Sequence, residues 1–197
     1  TYATQGLNAP DGRVIIWSTV HAYRSWTGWI DWPGCASLPR VVTIRPDGLL
    51  GIAPADELKS LRGKHSQVGT IRLSSSTEVL RDIKGDAIEM IAEFTPGDAE
   101  AFGLKVRMSD DGKQAVAIRY DEEGLEVNGV RGLFNPKDNL GPFKMLPQEK
   151  QLTFHLFLDK AVLELYVNGR ACITRLIEHH EKNQRVAVFA EGGRAVV

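Results

Sequence analysis

Residues 151–176 read QLTFHLFLDKAVLELYVNGRACITRL. Apolar and polar side chains alternate in three short runs, and Asn168-Gly169 separates the last two runs. Alternation with a period of two is typical of a β-strand with one buried face, and Asn-Gly is the dipeptide most typical of a tight hairpin turn. The stretch therefore predicts successive antiparallel strands of one sheet.

The middle run, VLELYV, predicts which side chains enter a core. Leu163, Leu165 and Val167 fall on one face of the strand, and Glu164 and Tyr166 fall on the other. A shift of one residue would exchange the two faces. We therefore expect Leu165→Asp to unfold the module and Glu164→Gln to be mild.

Similar short runs recur outward from this stretch, and Gly and Pro separate them. Predicted strands cover residues 13–19, 40–45, 69–74, 87–94, 101–108, 114–120, 125–128, 151–158, 162–167, 171–176 and 186–190. Many short strands at near-regular spacing indicate a sandwich or a barrel. We predict an all-β protein whose main part is an antiparallel β-sandwich.

One segment, PADELKSL at Pro54–Leu61, has a helical pattern, with Pro near its start, acidic residues early and Lys59 late. All four Trp precede this segment. We therefore predict an N-terminal unit at 1–53, a helical connector at 54–62 and a sandwich at 63–197. Residues 131–149 lack periodicity and predict a long loop.

Composition excludes several classes of protein. The 24 basic and 25 acidic residues nearly cancel and are interspersed, which argues against a nucleic-acid or membrane-surface partner. The two cysteines, Cys35 and Cys172, give neither a disulfide framework nor a metal motif. We expect a soluble protein, cytoplasmic or secreted, without a cofactor. Because the sequence begins with Thr1, we also expect it to be a piece of a longer or trimmed chain.

The candidate binding residues lie in one aromatic cluster, YRSWTGWIDW. Tyr23, Trp26, Trp29 and Trp32 offer flat faces that stack on sugar rings, and Asp31 offers a polar group for hydroxyls. These five residues are the predicted carbohydrate contacts. The alternative, which we favour at this stage, is that the indoles pack against a neighbouring part of the fold.

The sequence shows no motif of a nucleophilic, metal-dependent or nucleotide-binding enzyme. No two carboxylates are marked as a buried pair, and the acidic residues mostly fall in predicted turns. His179-His180 is predicted to lie in a solvated turn. We therefore predict no catalytic residue and no metal ligand in this chain.

Two stretches resemble glycoside hydrolase family 32, which includes invertases, inulinases and levanases. Near the front, Tyr2-Ala3-Thr4-Gln5, DGRVIIW at residues 11–17 and PGCASLPR at residues 33–40 are similar in order and spacing to the end of the family's catalytic β-propeller. Residues 159–168, DKAVLELYVN, are similar to the signature of its C-terminal sandwich. The resemblance covers nearly the whole chain.

The resemblance implies that residues 1–53 are the last strands of a five-bladed β-propeller and that the remainder is the C-terminal β-sandwich. It implies a retaining β-fructofuranosidase, acting on sucrose or fructans, as the parent enzyme. The family carries its catalytic carboxylates in N-D-P-N-G, R-D-P and E-C segments, which do not occur in this sequence. The chain alone is therefore expected to be inactive.

Two further expectations follow from the resemblance. Residues 17–19, Trp-Ser-Thr, stand where family members often have W-G-W, so an aromatic residue near the sugar pocket is missing. The expected partners are a fructose-containing carbohydrate, the catalytic propeller or a second copy of the chain. The alternative is a free-standing, lectin-like β-sandwich that binds carbohydrate by itself.

Overall fold

The computed structural model describes residues 2–22, 32–131 and 142–197. Within these residues the regular structure is almost entirely antiparallel β-sheet, which confirms the predicted all-β class. The strands form three sheets, one N-terminal and two that make the sandwich. No helix in the described part of the chain is long and apolar enough to cross a bilayer.

Five strands form the N-terminal sheet: β1 (Tyr2–Asn8), β2 (Val14–His21), β3 (Gly34–Ala36), β4 (Arg40–Ile44) and β5 (Leu50–Pro54). Their order is β1-β2-β4-β5, and β3 pairs with β2 beside this path. The first half of β2 pairs with β4 and its second half pairs with β3. The sheet therefore opens where β3 and β4 separate.

The connector is a 3₁₀ helix at Asp56–Leu61 that follows β5 directly. Its first turn carries Asp56 and Glu57 and its last turn carries Lys59, an order that the helix dipole favours. None of its residues is buried. The predicted helical segment is thus present, although it is shorter than predicted and 3₁₀ in type. The division of the chain into domains at this connector stays a prediction.

The sandwich is built from the other twelve strands, which in chain order are β6 (Arg72–Ser74), β7 (Thr77–Lys84), β8 (Ala87–Pro96), β9 (Ala101–Met108), β10 (Val116–Asp121), β11 (Gly124–Val127), β12 (Val130–Arg131), β13 (Leu152–Asp159), β14 (Val162–Val167), β15 (Ala171–Leu176), β16 (Arg185–Glu191) and β17 (Arg194–Val196). The β9 sheet has the order β12-β11-β10-β9-β16-β7. The β13 sheet has the order β15-β14-β13-β8-β17-β6.

The core lies between the β9 sheet and the β13 sheet. Phe94 is its centre, with ring centroids 5.3 Å from Phe102 of the facing sheet and 5.5 Å from Phe154 of its own sheet. Leu163, Leu165 and Val167 are fully buried in this core. The predicted alternation of β14 is therefore confirmed.

The β14–β15 hairpin has the tight turn that Asn168-Gly169 predicted. Both residues have positive φ, 49° for Asn168 and 61° for Gly169, and Arg170 N–H donates to the Val167 carbonyl oxygen at 3.0 Å. Asn and Gly tolerate this backbone region better than other residues do. The turn fixes the register of two strands on which the contact with the N-terminal sheet depends.

The sequence did not predict several strands, of which β7 is the most instructive. Its sequence, TEVLRDIK, carries four charged residues in eight and has no buried position. β7 is an edge strand of the β9 sheet, and charged side chains on an edge discourage pairing with another chain. The charged residues of β7 interrupt the alternation of apolar and polar residues by which a strand is recognised in a sequence.

Arg107 ties together two turns at one end of the sandwich. The residue is 3% exposed and has a φ of 51° in an irregular part of the β9–β16 pairing. Its guanidinium donates to the Asp86 carboxylate at 2.7 Å and to the carbonyl oxygen of Lys160 at 2.5 Å. One buried cation therefore joins the β7–β8 and β13–β14 turns.

Of the predicted loop at 131–149, the structure describes Arg131, which ends β12, and residues 142–149, which contain no strand or helix. Arg170 holds its end, because the guanidinium donates to Glu149 at 2.7 Å and lies 4.0 Å from the centroid of the Phe143 ring. The hydrogen bonds from Arg170 lower the pKa of Glu149 to about 2. The loop is thus closed by a shielded ion pair.

We expect Leu165→Asp to abolish cooperative folding, because the new carboxylate would be buried without a partner at a cost of about 4 kcal/mol or more. Ile91→Asp is the matched control, since Ile91 lies in the same sheet but is 57% exposed; we expect it to change stability by less than about 1 kcal/mol. Thermal unfolding followed by circular dichroism measures both effects. Equal losses in Tm would contradict the assigned faces.

We also expect Glu149 to contribute to stability in a pH-dependent way. Its pKa is lowered in the folded state, so its contribution is complete above the unfolded value of 4.5 and is lost as pH falls toward about 2. Glu149→Gln should therefore lose roughly 1–2 kcal/mol at pH 6 and little at pH 2.5. Urea unfolding at both pH values tests this, with exposed Glu122→Gln as control. A loss that is equal at both pH values would refute the ion-pair explanation.

Candidate functional site

The N-terminal sheet meets the sandwich at the β14–β15 hairpin. Ile52 N–H of the edge strand β5 donates to the Gly169 carbonyl oxygen at 2.8 Å. The Arg45 guanidinium donates to the carbonyl oxygen of Asn168 at 3.1 Å. The turn is therefore a docking point for the edge of the N-terminal sheet.

A buried ion pair lies beneath this contact. Arg40 of β4 and Glu164 of β14 are 6% and 2% exposed, and their nearest charged atoms are 2.6 Å apart. The other carboxylate oxygen of Glu164 accepts the backbone N–H of Leu38 at 2.6 Å, and Arg40 also donates to the Thr174 hydroxyl at 2.5 Å. All four groups belong to the contact between the two parts of the chain.

This geometry corrects one expectation from the sequence. Glu164 does lie on the face opposite the core, together with Tyr166, but the N-terminal sheet covers that face. Removal of one partner of a buried ion pair leaves the other charge unpaired and typically costs about 3–5 kcal/mol. Glu164→Gln is therefore not expected to be mild. The signal that could have found the pair is that both residues lie in the stretches that carry the family resemblance.

Two exposed ion pairs flank the buried one and run through the connector. Both terminal nitrogens of the Arg13 guanidinium donate hydrogen bonds to the Glu57 carboxylate, at 3.0 and 2.6 Å. Arg62 donates two hydrogen bonds of 2.6 Å to the Glu89 carboxylate. The hydrogen bonds from Arg13 lower the pKa of Glu57 to about 2. Exposed pairs contribute little energy individually. They orient the connector between the N-terminal sheet and the β13 sheet.

The aromatic cluster is described in part. Trp32 is half-buried and packs near Ala22 and Ala161, beside Leu176 of β15. This contact joins the N-terminal unit to the β13–β14 turn of the sandwich. The predicted contact residues Tyr23, Trp26, Trp29 and Asp31 lie outside the described residues.

A cleft of about 500 Å³ lies on the N-terminal sheet over β1, β2 and β3. Its lining residues come from β1, β2 and the β3 region: Ala3, Gln5, Trp17, Ser18, Thr19, His21, Pro33, Gly34, Cys35 and Ala36. Gly34 is required in this wall, because a Cβ atom there would lie 2.3 Å from the Val20 carbonyl oxygen. The cleft combines an indole with amide, hydroxyl and imidazole groups, which suits a small polar ligand that has an apolar face.

The cleft does not supply an acid–base pair, because none of its described lining residues is Asp or Glu. Two carboxylates elsewhere are held by cations instead. Arg131 lowers the pKa of Asp121 to about 2, and Asp86 accepts hydrogen bonds from Arg107 and from His179 Nε2, each at 2.7 Å. Carboxylates held ionised in this way are poor proton donors.

The remaining candidates for chemistry have structural surroundings. Burial raises the pKa of the Cys172 thiol to about 12, so the thiolate is not accessible near neutral pH. The expectation of a solvated His179-His180 turn holds for exposed His180 and is wrong for His179, which binds Asp86. Across residues 2–22, 32–131 and 142–197, no three His, Cys, Asp or Glu residues are grouped as metal ligands.

The comparisons with known proteins match this architecture. Residues 57–197 match the model of the family described as "Glycosyl hydrolases family 32 C terminal". The chain is 27% identical to raffinose invertase of Escherichia coli, over all of this chain and 40% of that protein. It is 27% identical to levanase of Bacillus subtilis, over 91% of this chain and 30% of that protein. The chain thus spans well under half the length of these relatives.

A solved structure gives the same result for the fold. Fructan 1-exohydrolase IIa of Cichorium intybus, described in complex with 1-kestose, superposes with a TM-score of 0.72 and 17% identity over 99% of this chain and 46% of that one. The superposition includes the N-terminal sheet as well as the sandwich. The chain therefore belongs to glycosyl hydrolase family 32 and contains the C-terminal domain of that family.

Proposed function

We propose that this chain is the C-terminal part of a retaining β-fructofuranosidase that hydrolyses sucrose or fructans, and that its role is to support a catalytic propeller. In this proposal residues 1–53 are the last strands of the propeller, and the catalytic carboxylates lie on blades outside this chain. The absence of the N-D-P-N-G, R-D-P and E-C segments from the sequence supports this division of labour.

The observation that carries the proposal is the apolar surface on both faces of the N-terminal sheet. Directly opposed residues of antiparallel strands lie on the same face of a sheet. Ile44 and Leu50 are such a pair, and they are 73% and 60% exposed. Leu7 is opposed to Ile15, which places it on the other face, and it is 43% exposed.

A five-stranded sheet with exposed apolar residues on both faces needs further neighbours, although the face of Ile44 also carries Arg40, which meets the sandwich. A propeller blade has this environment, because each blade packs between two others. The same surface in an isolated chain would favour self-association. A second copy of the chain is one of the partners expected from the sequence. The apolar faces thus support contact with catalytic blades, or with a second copy where those blades are absent.

The proposed carbohydrate contacts are Tyr23, Trp26, Trp29, Asp31 and Trp32. His21 and Pro33 line the cleft, whereas the residues directly next to segment 23–31, Ala22 and Trp32, pack with Ala161 of the sandwich. The presence of His21 and Pro33 in the cleft wall supports sugar contact by the cluster, and the packing of Trp32 favours the structural alternative.

The second candidate function is a lectin-like module that binds carbohydrate without catalytic blades. The observation that favours it is the cleft itself, because Trp17, Gln5 and Thr19 belong to the described chain. The two candidates differ in what the isolated chain does. A lectin-like module would bind fructosides alone, whereas a supporting module would bind them only beside the catalytic blades.

We expect the purified chain to hydrolyse neither sucrose nor inulin nor levan, because it carries no acid–base pair in the cleft. Release of reducing sugar over a prolonged incubation measures this. Calorimetric titration with sucrose and inulin tests the lectin-like alternative in the same samples. Turnover that persists after repurification and is removed by Asp82→Asn would overturn the proposal.

We expect Ile44→Lys to reduce self-association of the isolated chain by at least about tenfold in dimerisation constant, because it introduces a charge into an apolar face. Leu61→Lys is the matched control, since Leu61 is 78% exposed on the connector and lies outside that face. Sedimentation velocity across a concentration series measures both variants. If the wild-type chain is monomeric and binds no apolar dye, the sheet faces are not docking surfaces.

A further inference from the structure

The strand that forms one wall of the cleft is attached directly to the sandwich. Pro33–Ala36 line the cleft, and the chain continues through Ser37 and Leu38 to Arg40. Leu38 and Arg40 both bind Glu164, which belongs to β14 of the sandwich. A side chain from the sandwich therefore holds the segment that follows the cleft wall.

Each carboxylate oxygen of Glu164 binds a different group of the segment 38–40. One accepts the Leu38 backbone N–H at 2.6 Å, and the other accepts the Arg40 guanidinium at 2.6 Å. Hydrogen bonds to a buried ionised carboxylate are short and strong. Since β14 is fixed by the core on its other face, Glu164 is a rigid support for the segment 38–40.

A short hydrogen-bond chain continues from this support to the cleft. Ser37 N–H donates to the Ser18 carbonyl oxygen at 2.7 Å, and Ser18 N–H donates to the Ser37 hydroxyl at 3.0 Å. Ser18 lines the cleft, and its hydroxyl is 2.8 Å from the hydroxyl of Thr4. The position of Leu38 therefore constrains β2 and β3 at the cleft.

The charge of Glu164 also reaches the cleft wall. Burial raises the pKa of the Cys35 thiol, and the negative charges of Glu164 and Asp159 raise it further. Cys35 is a lining residue of the cleft. Removal of the Glu164 charge would thus change the electrostatics of the wall as well as its position.

The other ion pairs between the two parts of the chain lack this connection. Glu89 binds Arg62 of the connector and His155 of the sandwich, and neither partner belongs to the cleft segment. Glu89 is half-buried and accepts two hydrogen bonds from the Arg62 guanidinium. Glu89 therefore offers a matched comparison, because it is a charged contact with the connector that does not extend to the cleft.

We propose that Glu164 is a positioning residue of the cleft, through which the sandwich sets the geometry of the wall at residues 33–38 and so the affinity of the cleft for its ligand. The identity of that ligand, a fructoside, rests on the proposed function. The placement of the wall does not rest on the proposed function, since it concerns contacts within this chain.

Amide hydrogen exchange of the whole chain, read by mass spectrometry, tests the positioning. Glu164→Gln should speed exchange in peptides covering 33–40 and 14–21 by about tenfold or more, while the sandwich core remains protected. Glu89→Gln should leave those peptides unchanged.

If Glu164→Gln does not fold, Glu164→Asp carries the test. The shorter side chain keeps the charge that Arg40 needs but cannot reach Leu38 and Arg40 together, so exchange at 33–40 should still rise. The proposal is wrong if the Glu164 variants leave this segment protected, or if Glu89→Gln exposes it equally.

Kinetics of the intact enzyme that contains this chain test the consequence for the ligand. Glu164→Gln should raise KM for sucrose at least about fivefold with a smaller change in kcat, because ground-state binding depends on the wall. Glu89→Gln should change neither. Equal KM values for both variants would overturn the role in affinity. Absence of any fructoside hydrolysis by the wild-type enzyme would refute the proposed function, and hydrogen exchange would still decide whether Glu164 positions the wall.

Discussion

The attachment of the N-terminal sheet to the sandwich depends on the buried ion pair between Arg40 and Glu164. Desolvation of two charges is expensive, and hydrogen bonds to their remaining polar atoms offset part of that cost. Here the carboxylate has two partners and the guanidinium has Thr174 as a second acceptor, whereas Arg40 Nε is buried without a hydrogen-bond partner among the described residues. A shifted docking of the two sheets would leave these charges unpaired, so the pair specifies one orientation.

The sandwich and the N-terminal sheet, which this ion pair joins, differ in how well each is packed internally. The sandwich encloses a continuous aromatic and aliphatic core, and Arg107 ties its turns together from within. The N-terminal sheet has apolar residues exposed on both faces and no core of its own in the described chain. The sandwich is therefore suited to be a fixed support, and the N-terminal sheet to be completed by a neighbour.

Charge placement supports the same view of function. Several described acidic residues near the contact are held by Arg, and hydrogen bonds from Arg lower the pKa of Glu57 and of Glu89. Such carboxylates remain ionised and fix loops, the connector and the edges of sheets. The cleft itself combines Trp17 with neutral polar groups and thus suits ligand binding more than proton transfer.

The sequence by itself determined the strands that follow the period-two rule, the Asn168-Gly169 hairpin and the faces of β14, because these depend on local alternation and turn chemistry. Its motifs also indicated the family. It did not determine the edge strand β7, whose charged residues interrupt the alternation, nor the partners of Arg40 and Glu164. These two residues are 124 positions apart, and no local pattern reports that a charge will be buried against another element. Only the tertiary structure decided that the polar face of β14 is an interface, because burial of that face depends on which sheet is packed against it.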